Sequence, residues 1–182
     1  FCVLDFPVRE LAGKVMGIVG FGELGKGVAR VAEAFGMRVL VSARPGSPPG
    51  PGREPLEEVL ARSDVVSLHV PLAENTRQLI GAREFALMKP DALLINTARG
   101  GIVDEAALWE AITQAHIGGA ALDVLEQEPP SAGYPLLARR HPRLIVTPHV
   151  AWAARESRQR LIDEVADNIR AFQAGKTRNR VV

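Results

Sequence analysis

The stretch Val15-Met16-Gly17-Ile18-Val19-Gly20-Phe21-Gly22-Glu23-Leu24-Gly25 decides how the rest of this sequence is read. A short apolar run, the length of a buried strand, ends at three glycines spaced G-x-G-x-x-G. From Gly25 onward the pattern changes. Val28, Val31, Ala32 and Phe35 fall three and four residues apart, which places them on one face of a helix over 25–35. The local reading is strand, tight turn, helix.

Working outward, the same alternation continues along the chain. Apolar runs at 39–42, 65–69, 92–96, 120–124 and 144–146 read as further buried strands, with helical stretches between most of them. Asp104 is placed to cap a helix running through Ala106, Leu108, Trp109 and Ile112. Strands that are apolar throughout, rather than at every second residue, imply a parallel sheet covered on both faces. The expected fold is therefore α/β, a doubly wound parallel sheet of the Rossmann type. Segment 44–54 holds four prolines and three glycines, so it reads as a loop. A long helical pattern over 153–174 follows the last strand, with Leu161, Ile162, Val165, Ile169 and Phe172 at helical spacing.

Composition narrows the function classes. The chain has 182 residues, 47% hydrophobic and 24% charged, with a formal net charge of +1. No field of one sign would gather nucleic acid or an anionic membrane, and no apolar run is long enough for a membrane span. A single cysteine, Cys2, can form neither an internal disulfide nor a multi-cysteine metal site, and no His/Cys/carboxylate group has metal-ligand spacing. Residues 1–7 lack the features of a signal peptide. The expected setting is cytoplasmic.

The glycine turn has a chemical reading in this context. Gly20 permits the tight turn, Gly22 lets backbone approach a pyrophosphate, and Gly25 allows helix and strand to pack closely. The helix N-terminus then faces the phosphate charge. An acid at the end of the second strand would bind adenosine ribose hydroxyls. That strand instead ends Val41-Ser42-Ala43-Arg44, without a carboxylate. Ser42 and Arg44 could hydrogen-bond and neutralise a 2′-phosphate, which favours NADP over NAD.

Three downstream segments carry a family resemblance. Met88-Lys89-Pro90 leads to Leu94-Ile95-Asn96-Thr97-Ala98-Arg99-Gly100-Gly101 and Val103-Asp104. Ala121-Leu122-Asp123-Val124 is followed by Glu126-Gln127-Glu128-Pro129. The third is Val146-Thr147-Pro148-His149. Together, and in this order, they closely resemble the D-isomer-specific 2-hydroxyacid dehydrogenases. Within that family, 148–153 looks most like the glycerate dehydrogenases and hydroxypyruvate reductases, although many relatives carry glycine where Trp152 stands.

The resemblance implies a catalytic set of Arg99, Glu128 and His149. Arg99 would hold a 2-oxo acid by its carboxylate and polarise the neighbouring carbonyl. His149 would exchange a proton with that oxygen during hydride transfer, and Glu128 would orient its ring. The backbone at Glu23 and Leu24 would meet the pyrophosphate, Val70 and Pro71 the adenosine, and Thr76 the ribose or phosphate. Thr97 and Ala98 would flank the nicotinamide ribose, with Asp123 accepting from the carboxamide and Ala151 beside His149. His69 reads as a hydrogen-bonded structural histidine, and His141 as solvated.

Family members have a second domain, drawn mainly from sequence that precedes the cofactor domain. The expectation is a dinucleotide-binding domain over 10–150, with 1–9 and 151–182 as connections to a substrate domain mostly absent here. The chain alone would then bind dinucleotide and turn over weakly or not at all. Resemblance also implies a homodimer. A non-catalytic dinucleotide-sensing module is the alternative.

Overall fold

The computed structural model of the chain describes residues 8–181. Most of the expected connection over 1–9 lies outside them. The described chain forms two compact units, residues 8–148 and residues 149–181.

In the first unit the chain runs β1 (Val15–Val19), α1 (Glu23–Ala34), β2 (Arg38–Val41), α2 (Leu56–Arg62), β3 (Val65–Leu68), α3 (Ala82–Leu87), β4 (Leu93–Asn96), α4 (Glu105–Thr113), β5 (Gly119–Leu122) and β6 (Leu144–Val146). One 3-10 turn, Glu74–Thr76, lies between β3 and α3. All six strands pair in parallel in the order β2-β1-β3-β4-β5-β6. Each expected strand is present, within two residues of its expected bounds. Helices α2 and α3 were not resolved individually by periodicity, because runs of seven and six residues offer fewer than two helical turns of pattern.

Parallel register carries one side of every strand to one face. Val19, Val66, Leu68, Leu94 and Leu122 join Leu60, Phe85, Leu108 and Ile112 of α2, α3 and α4 in the large core. Met16, Val39, Val65 and Ile95 point the other way, where Ala32 of α1 and Met37 cover them. On this second face cover is incomplete within the unit: Leu93 is 45% and Ile145 62% exposed. At the start of the sheet, Asp64 accepts from the Val15 N–H at 2.7 Å and from Lys89 Nζ at 2.9 Å. Partial burial works to raise its pKa, but the Lys89 ammonium and the Val15 N–H outweigh it and hold the carboxyl below its ordinary value.

From β1 the chain steps outward to β2, then crosses back to β3 on the opposite side. The strand order therefore reverses between β1 and β3, and a crevice opens beyond their carboxyl ends. Near β6, His141 keeps part of its expected exposure to solvent and adds two contacts. Its ring meets Trp109 edge-on at 6.0 Å, and Nδ1 accepts from the Arg143 N–H at 3.2 Å.

The second unit is α5 (Arg155–Gln173) with its flanks. Leu161, Ile162, Val165, Ile169 and Phe172 form the expected stripe, yet α5 has no buried residue. Its tail folds back on it through an ion pair between Arg178 and Glu164.

Candidate functional site

The three glycines of the β1–α1 turn are there for different reasons. Gly20 has φ 96°, and a Cβ there would come within 2.5 Å of the His69 carbonyl oxygen at the end of β3. A Cβ on Gly25 would overlap the Gly20 carbonyl, so helix and turn could not close. Gly22 is unlike both: φ is an ordinary −81°, and no protein atom lies within 4 Å of where its Cβ would be. Protein packing does not require glycine at 22, whereas a phosphate approaching the backbone would. Gly22 also caps α1 without a side chain, leaving the first-turn amides free of any side-chain cap, and Glu23 and Leu24 are exposed. The residues present therefore fit a dinucleotide pyrophosphate.

A pocket opens beside this turn. Gly20, Phe21 and Gly22 line one side, Arg44 and Arg53 come from the loop after β2, and Val70, Pro71 and Thr76 come from the segment after β3. Six of the expected cofactor residues thus meet here. Ser42 does not line this pocket. Its side chain is buried, with the hydroxyl donating to the Ala43 carbonyl at 3.1 Å. Thr76 lines the pocket, but its hydroxyl donates to the Pro71 carbonyl at 2.6 Å and accepts from the Ala73 N–H at 2.7 Å. Its visible work is to shape the segment. His69 Nε2 lies 2.9 Å from Ser67 Oγ, and burial pulls its imidazole below its ordinary pKa.

Arg99 sits on the turn after β4, and Asn96 organises that turn. The buried Asn96 amide donates to the Arg99 carbonyl at 2.9 Å, and its oxygen accepts from the Ala98 N–H at 3.0 Å. Thr97 and Arg99 are left exposed at the carboxyl end of the strand. Asp104 caps α4 as expected, accepting from the Ala106 and Ala107 N–H groups, both at 3.0 Å. A Cβ on Gly100 would overlap the Leu125 carbonyl, so this turn is set directly against the loop carrying Glu128. That loop is tied down further. Glu128 Oε1 accepts from the Leu125 N–H at 2.8 Å, and Glu105 accepts from the Glu126 N–H and the Tyr134 hydroxyl, both at 2.7 Å. Burial, then Glu105, push the Tyr134 hydroxyl up to about 12. Asp123 is buried after β5, its N–H on the Asn96 carbonyl at 2.9 Å and its Oδ1 accepting from the Thr147 hydroxyl at 2.6 Å.

His149 opens the second unit with φ 53°, a left-handed backbone where histidine is among the more tolerated non-glycine residues. The Trp152 indole donates to the His149 carbonyl at 2.8 Å and closes this turn, leaving Ala151 exposed. Asn96, Thr147 and Arg53 in the first unit, and separately the Trp152 indole in the second, make local contacts to which the sequence reading assigned no role. Asn96 had a signal, a polar residue ending a buried strand. The others act through contacts made by folding.

Comparison with known proteins bears on this arrangement. Residues 4–151 match the family described as D-isomer specific 2-hydroxyacid dehydrogenase, NAD binding domain. The chain belongs to that family. A glycerate dehydrogenase of Methylorubrum extorquens is 51% identical over 179 residues, covering 98% of this chain and 56% of that protein. The crystal structure of a D-lactate dehydrogenase with NAD+ from Lactobacillus jensenii superposes with a TM-score of 0.88 at 33% identity, covering 100% of this chain and 59% of that one. An acyclic imino acid reductase in complex with NADPH and D-Arg gives 0.87 at 32% identity, covering 100% of this chain and 58% of that one. The chain spans about half the length of the relatives it matches. Among the described residues, no helix is long and apolar enough to cross a membrane.

Proposed function

We propose that this chain is the cofactor half of a reductase that passes a hydride between NADP(H), or NAD(H), and a small 2-oxo/2-hydroxy acid. Hydroxypyruvate and glyoxylate, with D-glycerate and glycolate as reduced products, are the substrate class. Residues 10–150 form the dinucleotide-binding domain, and 1–9 and 151–182 connect to a substrate domain. The cytoplasmic setting and the homodimer belong to the same reading.

Arg99 is the observation that carries it. An exposed guanidinium, on a turn held by a buried asparagine at a strand's carboxyl end, suits a small carboxylate better than a surface ion pair. The bound dinucleotide supplies the hydride. Arg99 holds the acid's carboxylate and polarises its carbonyl. His149 delivers a proton to the carbonyl oxygen, and in oxidation takes it back. Glu128 orients the His149 ring, and Asp123 with Thr97 and Ala98 positions the nicotinamide end.

The test is single-turnover mixing of the chain with NADPH or NADH and hydroxypyruvate or glyoxylate. Slow hydride transfer is expected, at least ~100-fold slower in His149→Asn while dinucleotide affinity is kept. Transfer indifferent to that substitution, or no dinucleotide binding, would overturn the reading.

A further inference from the structure

We propose that Arg53, which the proline-rich loop returns to the end of β2, is a specificity-determining cation for the adenosine 2′-phosphate of NADP(H), acting beside Arg44. The proposal rests on the dinucleotide reading of the glycine turn and deepens it.

Arg53 and Arg44 line the pocket next to Gly20, Phe21 and Gly22, and no carboxylate stands among its described lining residues. The loop over 44–54 is closed at its base. Ala43 N–H donates to the Glu54 carbonyl at 2.7 Å, and Glu54 N–H donates to the Val41 carbonyl at 2.9 Å. The residue before Glu54 is thereby delivered to the carboxyl end of β2, where dinucleotide folds recognise the adenosine ribose. The side chain is also held. One guanidinium nitrogen donates to the Ser42 carbonyl at 3.1 Å, and its carbon lies 5.7 Å from the Phe21 ring centroid. Ser42 thus contributes its backbone here, since its hydroxyl is committed elsewhere.

A guanidinium has five N–H donors, and the Ser42 carbonyl takes only one. Nor is the charge cancelled: the adjacent carboxylate, Glu54, pairs with Arg62, and no carboxylate among the described residues pairs with Arg53. Arg44 is exposed, whereas Arg53 is half-buried and held by a carbonyl and a ring. A planar, pre-positioned fork in a pocket without acids suits a phosphate dianion and gains less from a neutral ribose hydroxyl.

The experiment is fluorescence titration of the chain with NADPH and with NADH, at one fixed ionic strength, for wild type, Arg53→Ala and Arg53→Lys. Wild type is expected to bind NADPH at least about tenfold more tightly than NADH, the worth of one charge-assisted contact. Arg53→Ala should lose most of that ratio with NADH affinity nearly unchanged, and Arg53→Lys should restore part of it. Far-UV circular dichroism of each variant reports whether it keeps its fold. Equal weakening of both dinucleotides in Arg53→Ala would mark Arg53 as a prop for Phe21 and Ser42, and overturn the proposal. So would an unchanged ratio in that variant, or equal affinities in wild type. Absence of any dinucleotide binding by wild type would sink the underlying reading as well.

Discussion

The β1–α1 turn and the β4–α4 turn both leave the same edge of the sheet, and both contain a glycine pressed against backbone. They solve opposite problems. In the first, Gly20 and Gly25 close the turn onto β3 and onto itself, and Gly22 is left facing open space. What this turn presents is bare amide. In the second, Gly100 meets the Leu125 carbonyl, while Asn96 and Asp104 fix the backbone on either side. What that turn presents is a side chain, Arg99. Removing side chains suits a diffuse, doubly charged pyrophosphate, which many amides can share. Holding one long side chain suits a small carboxylate, which needs a directed fork.

Substitutions can break this contrast, beginning with the largest effect. In Gly100→Ala the new methyl meets only backbone, that of Leu125 and Glu126, so the loss of stability should reach about 3 kcal/mol or more by denaturant unfolding. A loss under about 1 kcal/mol would mean that the two loops are not braced as described. Asn96→Ala should come next, at about 2 kcal/mol, since it removes two hydrogen bonds and strands the Ala98 N–H and the Arg99 carbonyl. Amide exchange at Ala98 should accelerate with it. The smallest effect on stability should come from Gly22→Ala, less than about 1 kcal/mol, because the methyl meets no protein atom and replaces only a modest cap. The same variant should bind dinucleotide at least about tenfold more weakly. Destabilisation matching Gly100→Ala would show that protein packing, and not a ligand, requires glycine at 22.

Much of the fold was legible because parallel strands buried on both sides have a strong one-dimensional signature. Val65–Leu68 is apolar except for Ser67, and all four residues are buried. Asp104 was legible as a cap for the same reason: its bonds reach only two and three residues along the chain. The short helices α2 and α3 were not, and neither was the closure of the proline-rich loop, whose base is a ladder between residues 41–43 and Glu54. At the site, candidate residue types were readable and their hydrogen-bonding states were not. Ser42 was expected to offer its hydroxyl and is buried with that hydroxyl on Ala43. Thr76 reaches the expected pocket but spends its hydroxyl on its own segment.

By itself the sequence determined the strand–turn–helix alternation, the glycine positions, the family and the residue types that could do the chemistry. The alternation and the turns depend on local periodicity and on backbone geometry, which a few neighbouring residues dictate, whereas the family shows in the resemblance of three longer segments taken in order. Only the tertiary structure decided which donors are already spent, that Gly22 alone among the three glycines faces no protein atom, and that Arg53 stands beside Arg44 at the end of β2. Such facts depend on contacts between segments far apart in the chain, and those exist only once the sheet has set its register.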